Sequence, residues 1–143
     1  MIVVTGGAGF IGSTLINSFA DEEIILIDSF SNEAQKAYIN QAGGNIRLVD
    51  ISNCMNVLDL FKSRITFFYH FGANSSTDQS ILQETVNLNI FWSQFFWDFC
   101  TVNRIPLIYA SSAATYGNGD HGFSDEMSLE DLGVIPMKGL YSW

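Results

Sequence analysis

The sequence predicts an α/β fold built on a doubly wound parallel sheet. Short apolar runs alternate with helix-like segments along the whole chain. The runs are almost continuously apolar and rich in β-branched residues, as in IVVT and IILID. That is the pattern of strands covered by helices on both faces. Glycines 6, 9 and 12 follow the first run directly and open the first helix. Together these observations specify a Rossmann-type arrangement of about five strands in the order 3-2-1-4-5, since right-handed crossovers favour that order.

Each element has its own warrant. Residues 2–5 form strand one, closed by glycines. Residues 12–20 form a helix with Leu15, Ile16 and Phe19 on one face. Residues 24–28 are strand two. Ser31 or Asn32 caps a helix running to about Gln41, ended by Gly43 and Gly44. Residues 46–50 are strand three. Ser52 caps a helix whose apolar side carries Val57, Leu58 and Phe61. Residues 65–71 are strand four, and residues 82–102 a long helix. Pro106 precedes strand five, residues 107–111. From Ala113 to Leu140 the pattern fades into a Gly- and Asp-rich loop with a helical turn near 125–132, a length expected of a binding loop.

The chain has 143 residues, 48% of them apolar and 15% charged, which suits one globular domain. Its net charge of −9 opposes binding to nucleic acid or to an anionic membrane surface. No apolar run approaches the ~20 residues of a spanning helix. Strand-like residues start at Ile2, with no basic leader before them, so a cytoplasmic location is expected. Cys54 and Cys100 fall in helices without a spacing motif and read as buried thiols. His70 lies in an apolar strand and reads as a satisfied core histidine; His121 reads as a solvated loop residue. Neither has metal-ligating company, so no metal site is expected.

The glycine turn carries the first functional signal. Gly6 permits a tight turn, Gly9 lets backbone approach a pyrophosphate, and Gly12 allows close packing of helix on strand. The helix N-terminus offers N–H groups and positive partial charge to phosphates, with Phe10 and Ile11 beside Gly12 as cofactor-binding candidates. Asp28, 16 residues after Gly12, suits the two ribose hydroxyls of an adenosine, which favours NAD; a plain helix-capping role is the alternative. Ser29 follows it, and Lys36 lies near enough in sequence to meet a 2′-phosphate, so NADP stays open beside NAD. Asp50 and Ile51 follow strand three and are placed to flank an adenine, or to form an ordinary turn.

The Gly-x-x-Gly-x-x-Gly spacing resembles the extended branch of the short-chain dehydrogenase/reductase superfamily. Tyr69-His70-Phe71-Gly72-Ala73 looks like that branch's strand-four ending, where backbone passes the cofactor. Asn89 matches its helix asparagine, and Ser112 and Tyr141 match its catalytic Ser and Tyr. Three stretches narrow the resemblance to the ADP-L-glycero-D-manno-heptose 6-epimerases: Gly72-Ala73-Asn74-Ser75-Ser76-Thr77, the segment from Ala110 to Gly117, and the loop from Gly119 to Asp125.

The resemblance implies a bound NAD or NADP, retained through turnover, and a nucleotide-sugar substrate such as ADP-heptose. It implies Tyr141 as general base and Ser112 as the hydroxyl that orients the reacting oxygen, with oxidation and re-reduction at C6 of the heptose. Ser75, Ser76, Thr77 and Ala113 would line the sugar; a polar turn is the competing reading for the first three. Ser112 could equally be a backbone-bonded strand-end hydroxyl, and Tyr141 an ordinary aromatic. A Tyr pKa near ~10 must be lowered by neighbouring positive charge, a Lys above all. The family continues Tyr-x-x-x-Lys, and Tyr141-Ser142-Trp143 stops short of that Lys. The expectation is therefore a cofactor-binding domain, residues 1–143, incomplete at its C-terminus, without the substrate domain and nearly inert alone.

Ala113-Ala114 supply no carboxyl acid, which argues against a sugar-nucleotide dehydratase. A UDP-hexose 4-epimerase and a non-catalytic dinucleotide sensor compete with the heptose reading. The 12 Phe and 3 Trp are a heavy load for this length. Phe91, Trp92, Phe95, Phe96, Trp97 and Phe99 crowd the helix at 82–102, so one stripe packs on the sheet and another needs a cover. A homo-oligomer through this helix is expected, with burial under further chain as the alternative.

Overall fold

The computed structural model of the chain describes residues 1–19, 21–31, 39, 45–75, 82–120, 122–124 and 126. The expected helix up to Gln41 falls almost wholly outside them, as does the turn near 125–132. The chain divides into two units, residues 1–72 with 93–109 and residues 73–92 with 110–143.

The first unit holds five strands: β1 (Ile2–Thr5), β2 (Glu23–Asp28), β3 (Asn45–Asp50), β4 (Phe67–His70) and β5 (Leu107–Tyr109). They form one sheet in the order β3-β2-β1-β4-β5, and every pair is parallel. This is the order the apolar pattern predicts. Ile2 stands opposite Ile24 and Phe67, and Thr5 opposite Ile27 and His70. β4 and β5 are shorter than the apolar runs suggest. Past the end of β4, the Phe71 N–H still reaches the Thr5 carbonyl at 3.1 Å.

Alternation along the strands sorts the core onto two faces. Ile2, Val4, Ile24 and Leu26 pack with Ala8 and Ile16, flanked by Phe19, Phe67 and Tyr69. Val3, Thr5, Ile25 and Ile27 face the other way and are equally buried. On that side Phe68 meets Phe96 at 5.3 Å between ring centroids. Each fully buried side chain of this kind contributes about 1.5–3 kcal/mol.

Helix α1 (Phe10–Asn17) begins two residues earlier than the periodicity suggests, because the glycine turn leads straight into it. A short 3-10 turn (Ile51–Asn53) precedes α2 (Cys54–Phe61). Here the expected cap is corrected. Ser52 does not cap the helix; Asp50 caps the turn, accepting both the N–H and the hydroxyl of Ser52. A strand ending on Asp supplies an acceptor before Ser52 can act as one.

In the second unit, α3 (Leu82–Val86) runs into a π-helical segment (Asn87–Phe91), where the Trp92 N–H bonds to the Asn87 carbonyl. Helix α4 (Trp92–Asn103) continues the chain and from Ser93 onward belongs to the first unit. The single helix expected over 82–102 is thus helical throughout, with a wider turn in its middle. α4 ends at Asn103 and is followed by Arg104, whose φ of +56° places it in the left-handed region, two residues before Pro106. A 3-10 turn (Ala113–Tyr116) follows β5 and lies in the second unit. Among the described residues no helix is long and apolar enough to cross a membrane.

Candidate functional site

In the first unit, the candidate cofactor residues gather at the carboxyl ends of β1, β2, β3 and β4. β1 and β4 meet where the strand order reverses, the place where open α/β sheets form a binding crevice.

Gly6 has a φ of +66°, and a Cβ there would lie 2.6 Å from the Gly72 nitrogen. Both the left-handed turn and the close pass of the β4 exit therefore require glycine. Its N–H donates to the Ile27 carbonyl at 2.9 Å, tying the turn to β2. A Cβ on Gly12 would sit 2.3 Å from the Gly6 oxygen, so helix and turn touch backbone to backbone. Among the described residues, a Cβ at Gly9 would meet only the Gly6 oxygen, at 3.2 Å. The described residues leave that side of the turn open. Gly7, which the motif does not mark, is needed for packing: its Cβ would strike Leu26 at 2.6 Å.

Helix α1 has no side-chain cap, and Gly9 stands at its N-cap in extended conformation. The N–H groups of Phe10, Ile11 and Gly12 are those for which a helix provides no internal acceptor. The Phe10 and Ile11 side chains are exposed at its mouth. An uncapped helix start, a bare Gly9 and backbone N–H groups fit a pyrophosphate, and among the described residues no carboxylate side chain competes for those donors.

Asp28 ends β2 beside this turn. Its Oδ2 accepts the Ala8 N–H at 3.0 Å, and its Oδ1 accepts the Ser29 N–H at 2.8 Å. Asp50 is its register partner on β3. The Asp50 carboxyl is held below its ordinary pKa by the Ser52 hydroxyl first and the Ser52 N–H second. Its carboxylate thus serves the turn that carries Ile51. Lys36 lies outside the described residues.

Behind the turn runs a buried polar chain that sequence reasoning marked only at His70. Thr5 Oγ1 lies 2.5 Å from His70 Nδ1 and accepts the Gly72 N–H at 3.2 Å. His70 Nε2 lies 2.8 Å from the Ser93 hydroxyl. The buried Thr5 proton needs an acceptor, and among the described contacts His70 Nδ1 is the one that can serve. His70 then carries its proton on Nε2 and donates to Ser93. Burial lowers its pKa to about 4, so the ring is neutral at ordinary pH. The satisfied core histidine expected from sequence is what the structure shows. His121 lies outside the described residues.

The second unit places Ala73, Ser75 and Asn89 around Asn74. The Asn74 N–H donates to Asn89 Oδ1 at 2.7 Å, and Asn89 Nδ2 donates back to the Asn74 carbonyl at 3.0 Å. Asn74 Nδ2 donates to the buried Thr85 hydroxyl at 3.0 Å. The Asn89 side chain thus clasps backbone, a role the motif alone does not specify. Ser112 stands at the head of the 3-10 turn, its carbonyl accepting the Thr115 N–H at 3.0 Å, and exposed Ala113 follows. Ser76, Thr77 and Tyr141 lie outside the described residues. Among the described residues no three His, Cys, Asp or Glu side chains group to hold a metal ion. Cys54 and Cys100 are buried, with burial pushing their thiols up to about 11 and about 12.

Comparison with known proteins agrees with this architecture. The model of the NAD dependent epimerase/dehydratase family matches residues 2–138. The chain is similar to the ADP-L-glycero-D-manno-heptose-6-epimerase of Fusobacterium nucleatum, with 34% identity over 137 residues, 92% of this chain and 41% of that protein. It therefore spans about two fifths of the length of that relative. Its fold is similar to UDP-N-acetylglucosamine 4-epimerase from Methanobrevibacter ruminantium M1, solved with UDP-N-acetylmuramic acid, at a TM-score of 0.79 and 24% identity over 99% of this chain and 45% of that one. It is also similar to the Bordetella bronchiseptica enzyme WbmG, solved with NAD and UDP, at a TM-score of 0.69 and 25% identity over 81% of this chain and 38% of that one. With residues 2–138 matched by the family model, nearly its whole length, the chain belongs to the NAD-dependent epimerase/dehydratase family.

Proposed function

We propose that residues 1–143 form the NAD(P)-binding Rossmann domain of a cytoplasmic nucleotide-sugar epimerase, and that its substrate is ADP-glyceromanno-heptose, inverted at C6. The observation that carries the cofactor part is the glycine turn against an uncapped α1, with the Asp28 carboxylate at its side. Gly6, Gly9, Phe10, Ile11 and Gly12 hold the pyrophosphate. Asp28, Ser29 and Lys36 face the adenosine ribose, and Asp50 and Ile51 the adenine. Phe71, Gly72 and Ala73 carry backbone past the cofactor, and Asn89 steadies the segment that follows. The cofactor is NAD or NADP. When bound, it supplies a nicotinamide that takes hydride from the sugar carbinol and returns it.

The chain's own residues handle protons and orientation. Tyr141 removes the carbinol proton and later gives it back. Ser112 donates a hydrogen bond to the reacting oxygen and fixes its position. Ser75, Ser76, Thr77 and Ala113 contact the sugar. Exposed Trp97, on the helix at 82–102, forms part of a homo-oligomer contact.

The heptose reading is supported by the 34% identity to the Fusobacterium enzyme. A UDP-sugar epimerase is the second reading, supported by the 25% identity to WbmG, which was solved with UDP. Calorimetric titration with NAD and NADP tests the cofactor assignment, and absence of binding would overturn it. NMR of ADP-D-glycero-D-manno-heptose and UDP-glucose incubated with the whole epimerase of which this domain is proposed to be part separates the substrates. Inversion at C6 of the first supports the heptose reading; inversion at C4 of the second supports a UDP-hexose 4-epimerase.

A further inference from the structure

Ala8 is fully buried in the first unit. A buried N–H without an acceptor costs at least as much as a lost hydrogen bond. Within the turn, the Gly6 N–H goes to Ile27 and the Gly9 N–H to Gly6. The Ala8 N–H goes to Asp28 Oδ2, twenty residues along the chain. The other carboxylate oxygen is held by the Ser29 N–H. Asp28 is therefore fixed at both oxygens, and each keeps lone-pair capacity for a further donor.

We infer that Asp28 is a positioning residue for the phosphate turn, in addition to its role as candidate ribose acceptor. Its carboxylate latches Ala8, and Ala8 is followed directly by Gly9 and the first residues of α1. The end of β2 thus sets the geometry of the donors that would meet the pyrophosphate. The latch rests on the proposal that this turn binds a dinucleotide.

The two roles predict opposite signs for one experiment. Suppose Asp28 serves only the ribose. Its removal then costs nothing to a ligand without ribose hydroxyls, and loss of a negative charge near the phosphates favours that ligand. Suppose instead that Asp28 latches the turn. Its removal then weakens diphosphate binding whatever the sugar carries.

The test is calorimetric titration of the 143-residue chain, as wild type, Asp28→Ala and Asp28→Asn, with ADP and with 2′,3′-dideoxy-ADP. Asp28→Ala is expected to weaken dideoxy-ADP about tenfold, the worth of one charge-assisted hydrogen bond, and ADP by more, since ADP also loses its ribose acceptor. Asp28→Asn keeps one neutral acceptor for Ala8 and is expected to fall between. Weakened ADP binding with unchanged or tighter dideoxy-ADP binding would overturn the latch while leaving the dinucleotide reading intact. No binding of either ligand by the wild type would overturn both. Should Asp28→Ala not fold, scalar coupling through the hydrogen bond between the Ala8 ¹⁵N and the Asp28 ¹³Cγ decides in the wild type. Observed coupling supports the latch, and its absence overturns it.

Discussion

Thr5 and His70 meet side chain to side chain at 2.5 Å across the β1–β4 pair, buried beneath the point where the glycine turn passes Gly72. The contact joins the ends of two central strands through the sheet face that packs on α4, since the His70 ring also lies 5.1 Å from Phe96. The network is built for a neutral imidazole. Its lowered pKa, about 4, comes from burial.

That burial predicts a pH-dependent stability. Unfolded, His70 titrates near ~6.5, so between that value and its folded pKa the unfolded chain binds more protons. The contribution is complete above the unfolded pKa and is lost as pH falls toward about 4. Urea unfolding of the wild type should lose about 2 kcal/mol from this group between about pH 7 and pH 5. His70→Gln should lower stability at pH 7 and remove this component of the slope. An unchanged slope in the variant would show that His70 is not the group responsible.

The glycines of the turn should separate stability from binding. Gly6→Ala forces a side chain into a left-handed backbone and against the Gly72 backbone. Gly12→Ala presses a Cβ on the Gly6 carbonyl. Each should cost more than about 2 kcal/mol and lower Tm by several degrees. Gly9→Ala meets one oxygen, at 3.2 Å. Its Tm should fall by a few degrees at most, while NAD binding weakens about tenfold or more because the methyl group occupies the open side of the turn. Equal losses of Tm in all three variants would contradict this division.

The range of each interaction decides whether it can be read from sequence. The strand order is legible because β1 and β2 are apolar at almost every position and the glycine turn fixes where the crossovers begin. The Asp50 cap cannot be separated from a Ser52 cap, since either residue type satisfies a helix start and only geometry chooses. The Asp28–Ala8 bond spans 20 residues and leaves no trace in local periodicity. The π-helical turn at Asn87–Phe91 shifts the hydrogen-bond register while leaving the residues helical, so the apolar pattern still reads as one helix.

The Asn89 clasp predicts a local effect. Asn89→Asp keeps an acceptor for the Asn74 N–H but offers an oxygen to the Asn74 carbonyl where an N–H had been. The variant should lose about 1–3 kcal/mol. Hydrogen exchange at Asn74 should speed up by one to two orders of magnitude, roughly in line with that loss. Exchange at the wild-type rate would show that Asn74 is held by other contacts.

The aromatic helix divides into a core stripe and an open stripe, and the two should respond differently. Phe96 is fully buried against Phe68, and Cys100 is buried one turn further on. Phe96 is therefore a core residue and cannot serve as an interface probe. Phe96→Ala should cost about 3–5 kcal/mol through a cavity its neighbours fill only in part. Trp97 is 51% exposed. Trp97 meets Tyr109, itself exposed on β5, in an edge-to-face contact. Trp97→Glu should change unfolding free energy by about 1 kcal/mol or less. If the proposed oligomer forms through this stripe, the same change should shift sedimentation toward the monomer, because a charge would be buried without a partner. Unchanged sedimentation together with unchanged stability would remove Trp97 from any interface. The contact on α4 would then have to be sought at Val102, 80% exposed near the end of the helix.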